Sequence, residues 1–300
     1  MRRPMPFAAA MLLTCSSIGN AAAQSTAPAR QESERIPAAN LPRYVISAGL
    51  APDTHELSAE VTLTFPAAAA GTRVEFLLAA PLAIESSQPA LQELPANGAG
   101  AGFTGINGSS AVLLASGRAR RWQAQLPAGE RKLLLRYRGR MNFGFETPEQ
   151  EYARGFSETA GTLGPKGVYL AGSSLWYPWL GDSLFTFDVT ARAPEGWMLI
   201  SPGAGTARDA SGEAHWVSKD AIDELHLVGG PLKRYLRSAG TVEAQVYLRE
   251  SDDALAAKYL EATTRYLEMY RSLLGAYPYG KFALVENFWK PATACRRSRC

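Results

Sequence analysis

The sequence has 300 residues, of which 46% are hydrophobic and 20% charged, which excludes a disordered or fibrous chain and predicts one large or two medium globular domains. Its formal net charge of +3 comes from the two ends of the chain, where the basic residues Arg2, Arg3, Lys290, Arg296, Arg297 and Arg299 lie. Without these residues the body of the chain is more acidic than basic, which excludes the basic surface typical of nucleic-acid binding.

Residues 1–23 have the pattern of a secretory signal peptide. Arg2 and Arg3 precede the apolar stretch PFAAAMLLTCSSIG, and the alanines at 21–23 form a cleavage site. The apolar stretch is too short for a transmembrane helix, so we expect an exported protein, periplasmic or extracellular, with no transmembrane segment. Acylation of Cys15, which would make a lipoprotein, is the alternative. Residues 24–39 are polar and lack periodicity, which predicts a disordered mature N-terminus.

The clearest strand is LSAEVTLTF, from Leu57 to Phe65, in which apolar and polar residues alternate strictly. This period of two is typical of an antiparallel strand with one buried face. Many further short runs of this kind follow, separated by Gly and Pro turns and without intervening helices. The chain is therefore predicted to be mainly β, with an antiparallel β-sandwich or saddle over residues 40–238.

The pattern changes after residue 239. The strand TVEAQVYL is followed by a predicted helix with Ser251 as its N-cap, Asp252 and Asp253 in its first turn, and Gly275 after its end. Tyrosines and leucines recur at helical spacing along it, which predicts a core-facing stripe. The strand KFALVENFW then follows, so residues 239–289 are predicted to begin a second, mixed α/β domain.

No residue pattern identifies a catalytic or metal-binding site. A helical zinc site needs two histidines four residues apart, but HELSA at His55 has an alanine at the second position, and His215 and His226 lie in separate strand-like runs. Ser173 and Ser174 lack the Gly-x-Ser-x-Gly context of an esterase nucleophile. The residues alone therefore indicate a secreted β-rich protein, with no catalytic residue and no metal ligand assigned.

Several stretches nevertheless resemble the aminopeptidase-N-like zinc metallopeptidases (gluzincins), and most closely their exported bacterial branch. The resemblance rests on YVISAGLAPDTHELSAEVTLTF, on LWYPWL with LFTFDVTARAPEGWMLISPG, and above all on EATTRYLEMYRSLLGAYPYGKFALVENFW. It covers residues 43–289 in order. It implies a β-saddle followed by the beginning of a thermolysin-like catalytic domain, zinc as the family's cofactor, and peptides as its substrates.

The resemblance also implies a substrate-binding role for Glu286 and Asn287. ALVEN, residues 283–287, falls on the family's Gly-x-Met-Glu-Asn strand, where the glutamate binds the free α-amine of the substrate. A carboxylate at a strand end can pair with an ammonium group and orient the peptide. Ala283 and Val285 replace the family's glycine and methionine, which leaves strict aminopeptidase specificity open, and a solvated strand-end charge is the alternative role of Glu286.

The family's zinc-binding His-Glu-x-x-His helix would follow later than the last residue of this sequence. We therefore expect no zinc binding by this chain and no catalytic activity of the chain alone. Residues 290–300, KPATACRRSRC, form an anomalous basic tail with Cys295 and Cys300. Permitted codons for this tail, read in a shifted frame, encode AGYGMPSFTL, similar to the run that follows in the family, so a lost reading frame near Lys290 is the hypothesis.

Two functions remain as expectations. The first is the N-terminal portion of an exported aminopeptidase-like metallopeptidase. The second is a standalone periplasmic β-sandwich that binds or scaffolds other molecules. The sequence does not decide the peptide substrate or the oligomeric state.

Overall fold

The structure, a computed structural model, describes residues 37–95, 104–105, 108–145, 159–181 and 183–289. The predicted signal peptide with Cys15, nearly all of the predicted disordered segment, and the tail 290–300 lie outside the described residues. Within the described ranges, no helix is both long and apolar enough to cross a membrane.

The described chain is mainly β, as the sequence predicts. In chain order the strands are β1 (Arg43–Ala51), β2 (Glu56–Thr64), β3 (Arg73–Ala79), β4 (Leu82–Gln88), β5 (Leu91–Leu94), β6 (Thr104–Gly105), β7 (Gly108–Ser109), β8 (Ala119–Gln125), β9 (Lys132–Arg140), β10 (Thr162–Gly164), β11 (Gly167–Leu170), β12 (Phe185–Arg192), β13 (Trp197–Ile200), β14 (Ala204–Thr206), β15 (Glu213–Ile222), β16 (Leu227–Pro231), β17 (Lys233–Ala239), β18 (Val242–Leu248) and β19 (Lys281–Val285). The α-helices are α1 (Ser110–Ala115) and α2 (Asp253–Leu274).

The largest sheet has seven strands in the order β14-β15-β12-β1-β2-β9-β4. The alternation of apolar and polar residues in β2 determines which face of this sheet is buried. Leu57, Val61 and Leu63 of β2 lie on that face, and each is at most 2% exposed. Neighbouring strands are antiparallel with one exception, since β1 and β12 pair in parallel. Parallel neighbours need a long crossover connection, which the many residues between β1 and β12 provide.

Smaller sheets pack against this face. They are β10-β11-β16-β13 and β3-β8-β5, and the remaining pair β6-β7 forms a two-stranded sheet of its own. One continuous cluster of buried residues joins β1, β2 and β9 of the large sheet with β3, β11, β13 and β16 of the smaller ones. The described β region therefore has a shared core between sheets, which is the arrangement expected of a sandwich or saddle.

The C-terminal described part contains a sheet of its own. Strands β17, β18 and β19 form a separate three-stranded sheet, in which β18 and β19 are parallel and connected by α2. Ala256 and Leu260 of α2 pack on Val246 and Leu248 of β18. Residues 233–285 thus contain a βαβ unit in which one face of the sheet is covered by the helix. The predicted boundary between residues 238 and 239 stays a prediction.

The start of α2 differs by one residue from the sequence prediction. Asp252, and not Ser251, is the N-cap, because its carboxylate Oδ1 accepts a hydrogen bond of 2.8 Å from the main-chain N–H of Leu255. Asp253 is then the acidic residue in the first turn. A carboxylate is a stronger acceptor for the free N–H groups of a first turn, and its charge suits the positive end of the helix dipole.

The predicted core-facing stripe of α2 is wrong for most of its length. The buried residues are Ala256, Leu260 and Thr263, all in the first half of the helix. The large apolar residues that remain exposed on α2 are Leu255, Tyr259, Tyr266, Met269, Tyr270, Leu273 and Leu274. The reason is geometric, because β18 has seven residues and spans about 23 Å, whereas a helix of 22 residues is about 33 Å long.

The burial of β9 predicts that two neighbouring leucines contribute differently to the free energy of unfolding. Leu133 is 0% exposed and Leu134 is 43% exposed, so their side chains lie on opposite faces of one strand. Leu133→Ala is expected to lower the free energy of unfolding by about 2–5 kcal/mol, because it removes buried methyl groups and leaves a cavity. Leu134→Ala, the matched control, is expected to cost about 1 kcal/mol or less. Urea unfolding of both variants measures the difference, and equal losses would contradict the assigned faces.

The capping assignment predicts a second pair of effects. Asp252→Ala is expected to destabilise the protein by about 0.5–2 kcal/mol and to speed amide hydrogen exchange in the first turn of α2. Ser251→Ala, which removes the residue that the sequence nominated, is expected to stay within about 0.5 kcal/mol of the unmutated chain. A larger loss of stability in Ser251→Ala than in Asp252→Ala would contradict this assignment and favour Ser251 as the N-cap.

Candidate functional site

The two residues nominated by the sequence follow β19 directly. The main-chain N–H of Glu286 donates to the carbonyl of Tyr247 at 2.9 Å, which extends the pairing of β18 and β19 by one residue. The Glu286 side chain is exposed, and its Oε2 accepts a hydrogen bond of 2.7 Å from the main-chain N–H of Arg249. Asn287 is also exposed, and its Oδ1 accepts from the main-chain N–H of Trp289 at 3.2 Å.

Glu286 and Asn287 both line a cavity of about 500 Å³. This volume lies in the range of small-molecule sites in proteins. The cavity lies between β19 and the sheet that contains β11, β13 and β16, and its apolar lining residues are Tyr169, Ile200, Val228, Leu232, Ala283, Val285, Phe288 and Trp289. The structure therefore brings the nominated residues to an apolar pocket, and their substrate-binding role stays a prediction.

One wall of the cavity is aromatic. Trp289 lies with its ring centroid 5.3 Å from Tyr169, 5.3 Å from Phe145 and 4.9 Å from Phe288. Gly167 makes room for this wall, because a Cβ at that position would lie 2.5 Å from Cδ1 of Phe288. Aromatic side chains at edge-to-face spacing stabilise one another beyond their burial, so the wall has a defined shape.

Lys281 is a charged residue of the cavity that sequence reasoning missed. Its Nζ donates hydrogen bonds to the main-chain carbonyls of Ser201, at 2.7 Å, and of Gly203, and it lies 3.5 Å above the ring of Trp216. No described carboxylate lies within ion-pair distance of it. Burial lowers the pKa of Lys281 to about 7, although the two carbonyls and the indole face replace part of the lost hydration.

The sequence contained a weak signal for this residue. Lys281 is the first residue of an otherwise apolar strand, KFALV. Alternation along the strand places it on the same face as Ala283 and Val285. Those two side chains pack against the main core, so alternation alone directs Lys281 toward the same side. A lysine at a strand start is normally exposed, whereas Lys281 is partly buried by its contacts with Trp216 and the carbonyls of Ser201 and Gly203.

Ser201 adds a second unusual polar group. Its side chain is buried, and within the described ranges its Oγ has no hydrogen-bond partner. Ser201 also lines the cavity. Buried hydroxyls usually have a hydrogen-bond partner, so this group is unusual among the described residues.

The three histidines lie apart from one another. His55 contacts the carbonyl of Leu163 through Nδ1, and His215 lies 2.8 Å from the carboxylate of Asp188. His226 lines the cavity and lies 3.3 Å from the carboxylate of Glu224. In the described part of the chain, no three His, Cys, Asp or Glu side chains lie close enough to hold a metal ion. The described residues therefore do not fit a zinc centre, and no zinc-dependent step is derived from them.

The two serines of AGSSLW have structural contacts. Ser174 is buried, and its hydroxyl donates to the carbonyl of Ala171 at 2.6 Å. Ser173 and Ser174 both lie in a short 3-10 turn, Gly172–Ser174, whose first N–H donates to the carboxylate of Glu224. This contact also fixes Glu224 beside His226.

The environment of Lys281 predicts a pH-dependent stability. Its pKa in the folded chain, about 7, lies below the ordinary value of 10.5, so between these values the unfolded chain binds more protons. The unmutated protein is therefore expected to gain stability relative to Lys281→Met as the pH rises from about 7 to about 9.5. Thermal unfolding of both proteins across this range measures the difference, and the comparison cancels the tyrosines that titrate at higher pH. A constant difference, or one that changes in the opposite direction, would show that the ammonium is not destabilised by burial.

Comparison with solved structures supports the resemblance at the level of the fold. A crystal structure of a mutant M1 zinc metallopeptidase from Deinococcus radiodurans, bound to a Tyr-Ser-Ala substrate, matches with a TM-score of 0.57 and 17% identity, covering 82% of this chain and 56% of that one. Another structure of the M1 zinc metallopeptidase from Deinococcus radiodurans matches with a TM-score of 0.56 and 17% identity, covering 82% and 55%. A two-domain M1 zinc metallopeptidase mutant bound to L-arginine gives 0.54 and 17% identity, with 82% and 56% covered.

No protein-family model matches the sequence, and neither does any curated protein. This chain spans just over half the length of the three solved structures described above. The described chain thus has the fold of the corresponding part of M1 zinc metallopeptidases, a β-rich region followed by a βαβ unit.

Proposed function

We propose that this chain is the N-terminal portion of an exported, aminopeptidase-like zinc metallopeptidase, a hydrolase that releases N-terminal residues from peptides. The observation that carries the proposal is the fold likeness to M1 zinc metallopeptidases over 82% of the chain. The resemblance of EATTRYLEMYRSLLGAYPYGKFALVENFW to the same class of enzyme supports it independently, because it rests on residues and not on shape.

The role of the described residues in this function is to bind and orient a peptide. The described side chains do not fit a zinc centre, so the zinc chemistry of the family is assigned to no residue here and the chain alone is expected to be inactive. The β-rich region and the βαβ unit instead border a cavity of about 500 Å³, large enough for one or two residues of a peptide.

Glu286 is the residue proposed to bind the free amine of that peptide. Its Oε2 is held by the main-chain N–H of Arg249, and its exposed carboxylate retains a second oxygen to accept from an ammonium group. A charge-assisted hydrogen bond of this kind is stronger than a neutral one. Asn287 follows Glu286, and its side-chain amide would accept a hydrogen bond from the peptide main chain or donate one to it.

A conservative variant tests this role. Glu286→Gln keeps an acceptor for the Arg249 N–H and removes the charge, so it is expected to weaken binding of a free-amine tripeptide such as Tyr-Ser-Ala by about tenfold or more. The unmutated chain is expected to bind the N-acetylated peptide with the same weakened affinity. Glu250→Gln, at a neighbouring exposed carboxylate, is the matched control and is expected to have no effect.

Calorimetry or chemical-shift titration of residues 24–300, the chain without the predicted signal peptide, measures these affinities. Equal binding of free and acetylated peptide by the unmutated chain would contradict the amine-binding role, and Glu286 would then be a solvated strand-end charge. No binding of either peptide would leave the standalone scaffold as the better function.

The gene itself offers a test of the assignment to the metallopeptidases. Resequencing past the codon of Trp289 is expected to reveal a shifted frame that encodes a His-Glu-x-x-His helix with a more distal glutamate. Absence of that motif in every frame would contradict the lost-frame hypothesis.

Export is tested separately, since N-terminal sequencing of the secreted protein is expected to begin at Gln24 if residues 1–23 are cleaved.

A further inference from the structure

We propose that the cavity beside β19 selects peptides that carry a carboxylate within their first two residues, counted from the free amine, and that Arg249 binds this carboxylate. The inference rests on the proposed function, in which Glu286 binds the amine, and it names the substrate class of the same cavity. The charges of the lining, the position of Arg249 beside Glu286, and the absence of an ion-pair partner for Arg249 among the described residues carry it.

The lining of the cavity is more basic than acidic. Its basic residues are Lys166, His226, Arg249 and Lys281, and among the described residues that line it, Glu286 is acidic. Most of the other lining residues are apolar. A cleft with one prevailing sign of charge and apolar walls focuses the electric field and favours a ligand of the opposite charge. The cavity therefore suits a peptide that carries an anionic group in addition to its amine.

Arg249 is the basic residue of the lining that is half-buried and still has room for a carboxylate. Lys281 already donates to two main-chain carbonyls, and His226 lies 3.3 Å from the carboxylate of Glu224. Within the described ranges, no carboxylate lies within ion-pair distance of the Arg249 guanidinium. A guanidinium presents a planar fork of N–H donors that matches the two oxygens of a carboxylate.

The main chain holds Arg249 next to Glu286. The N–H of Arg249 donates to Oε2 of Glu286 at 2.7 Å, although the guanidinium is not within ion-pair distance of that carboxylate. An extended arginine side chain and this hydrogen bond together span about 11 Å, which is the greatest distance between the two charged groups. Two extended peptide residues span about 7 Å. A peptide whose amine contacts Glu286 can therefore present the carboxylate of its first or second residue to Arg249.

Lys166 adds a second cation to the same side of the cavity. It lies in the turn between β10 and β11, directly before Gly167, where a Cβ would lie 2.5 Å from the ring of Phe288. Lys166 is exposed, so its interactions are weakened by water and salt. Its expected effect is to attract anionic peptides at low salt, whereas Arg249 determines the preference.

The experiment compares the binding of two peptides, Glu-Ser-Ala and Gln-Ser-Ala, both amidated at the C-terminus, to residues 24–300 by calorimetry. The peptides differ in the charge of the first side chain. Glu-Ser-Ala-amide is expected to bind about tenfold more tightly or better, because a charge-assisted hydrogen bond is stronger than a neutral one. Ser-Glu-Ala-amide is expected to show the same preference over Ser-Gln-Ala-amide. The dipeptide Gln-Ser, with a free or an amidated C-terminus, tests whether a terminal carboxylate serves as well as a side chain.

A variant of Arg249 tests its role. Arg249→Gln removes the guanidinium and keeps the main-chain N–H that holds Glu286. It is expected to bring the affinity ratio of the Glu and Gln peptides to about one and to leave the affinity for Gln-Ser-Ala-amide unchanged. Arg237→Gln, at an exposed position of β17 outside the cavity lining, is the matched control and is expected to keep the ratio. Lys166→Gln is expected to lower it by less than about fivefold.

The outcomes separate this inference from the proposed function. A ratio near one in the unmutated chain, with free-amine peptides still preferred over acetylated ones, would overturn the inference and leave the amine-binding role of Glu286 intact. A retained ratio with no preference for the free amine would support Arg249 and contradict that role of Glu286.

The assignment to Arg249 is tested on folded variants, checked by circular dichroism. A ratio that survives Arg249→Gln would overturn it. If that variant does not fold, Arg249→Lys keeps the charge without the planar fork and is expected to lower the ratio at least about threefold. An unchanged ratio in Arg249→Lys would equally overturn the assignment.

Discussion

The structure depends on keeping the irregular segment at residues 175–179 inside the apolar core with its polar main-chain groups satisfied. Buried loops are rare because their N–H and C=O groups lose water. Here the carbonyls of Leu175 and Trp179 accept from β3, and the hydroxyls of Tyr137 and Tyr44 donate to the carbonyls of Trp176 and Pro178. Burial raises the pKa of both tyrosines, so they remain donors at any ordinary pH. These hydrogen bonds tie the large sheet to the smaller ones.

Residues of β18 and β19 attach the βαβ unit to this core, and Tyr247 of β18 belongs to the main cluster. Ala283 and Val285 pack on the main cluster, and Lys281 reaches the carbonyls that follow β13 and the ring of Trp216 on β15. Lys281 is partly buried, and no described carboxylate lies within ion-pair distance of it, so the loss of hydration offsets part of what these contacts contribute. The cavity lies at this attachment, since residues of β19 line it together with residues of β11, β13 and β16.

Sequence reasoning predicted the larger features well. Alternation in β2 set its buried face, and the mainly β composition, the long helix and the strand after it are all present in the described residues. The expectation of no helix between the earlier strands is wrong, because Ser110–Ala115 form α1. The likeness to zinc metallopeptidases was visible in the residues of LWYPWL and YPYGKFALVENFW alone. The core-facing stripe of α2 failed, because periodicity tells which residues share a face and not how much partner surface meets that face. Glu286 and Asn287 could be nominated only by resemblance, since their pocket is made by strands distant in sequence.

The sequence by itself determined the features that depend on neighbouring residues. These are the strands, the long helix, the start of that helix to within one residue, and the face of β19 on which Lys281 lies. Tertiary structure alone decided the environment of each polar group. Lys281 is a partly buried amine because Trp216, Ser201 and Gly203, which are far from it along the chain, surround its Nζ. Ser201 has a buried hydroxyl for the same reason. Burial and hydrogen bonding depend on such long-range contacts, and a strand pattern contains no information about which distant residues will supply them.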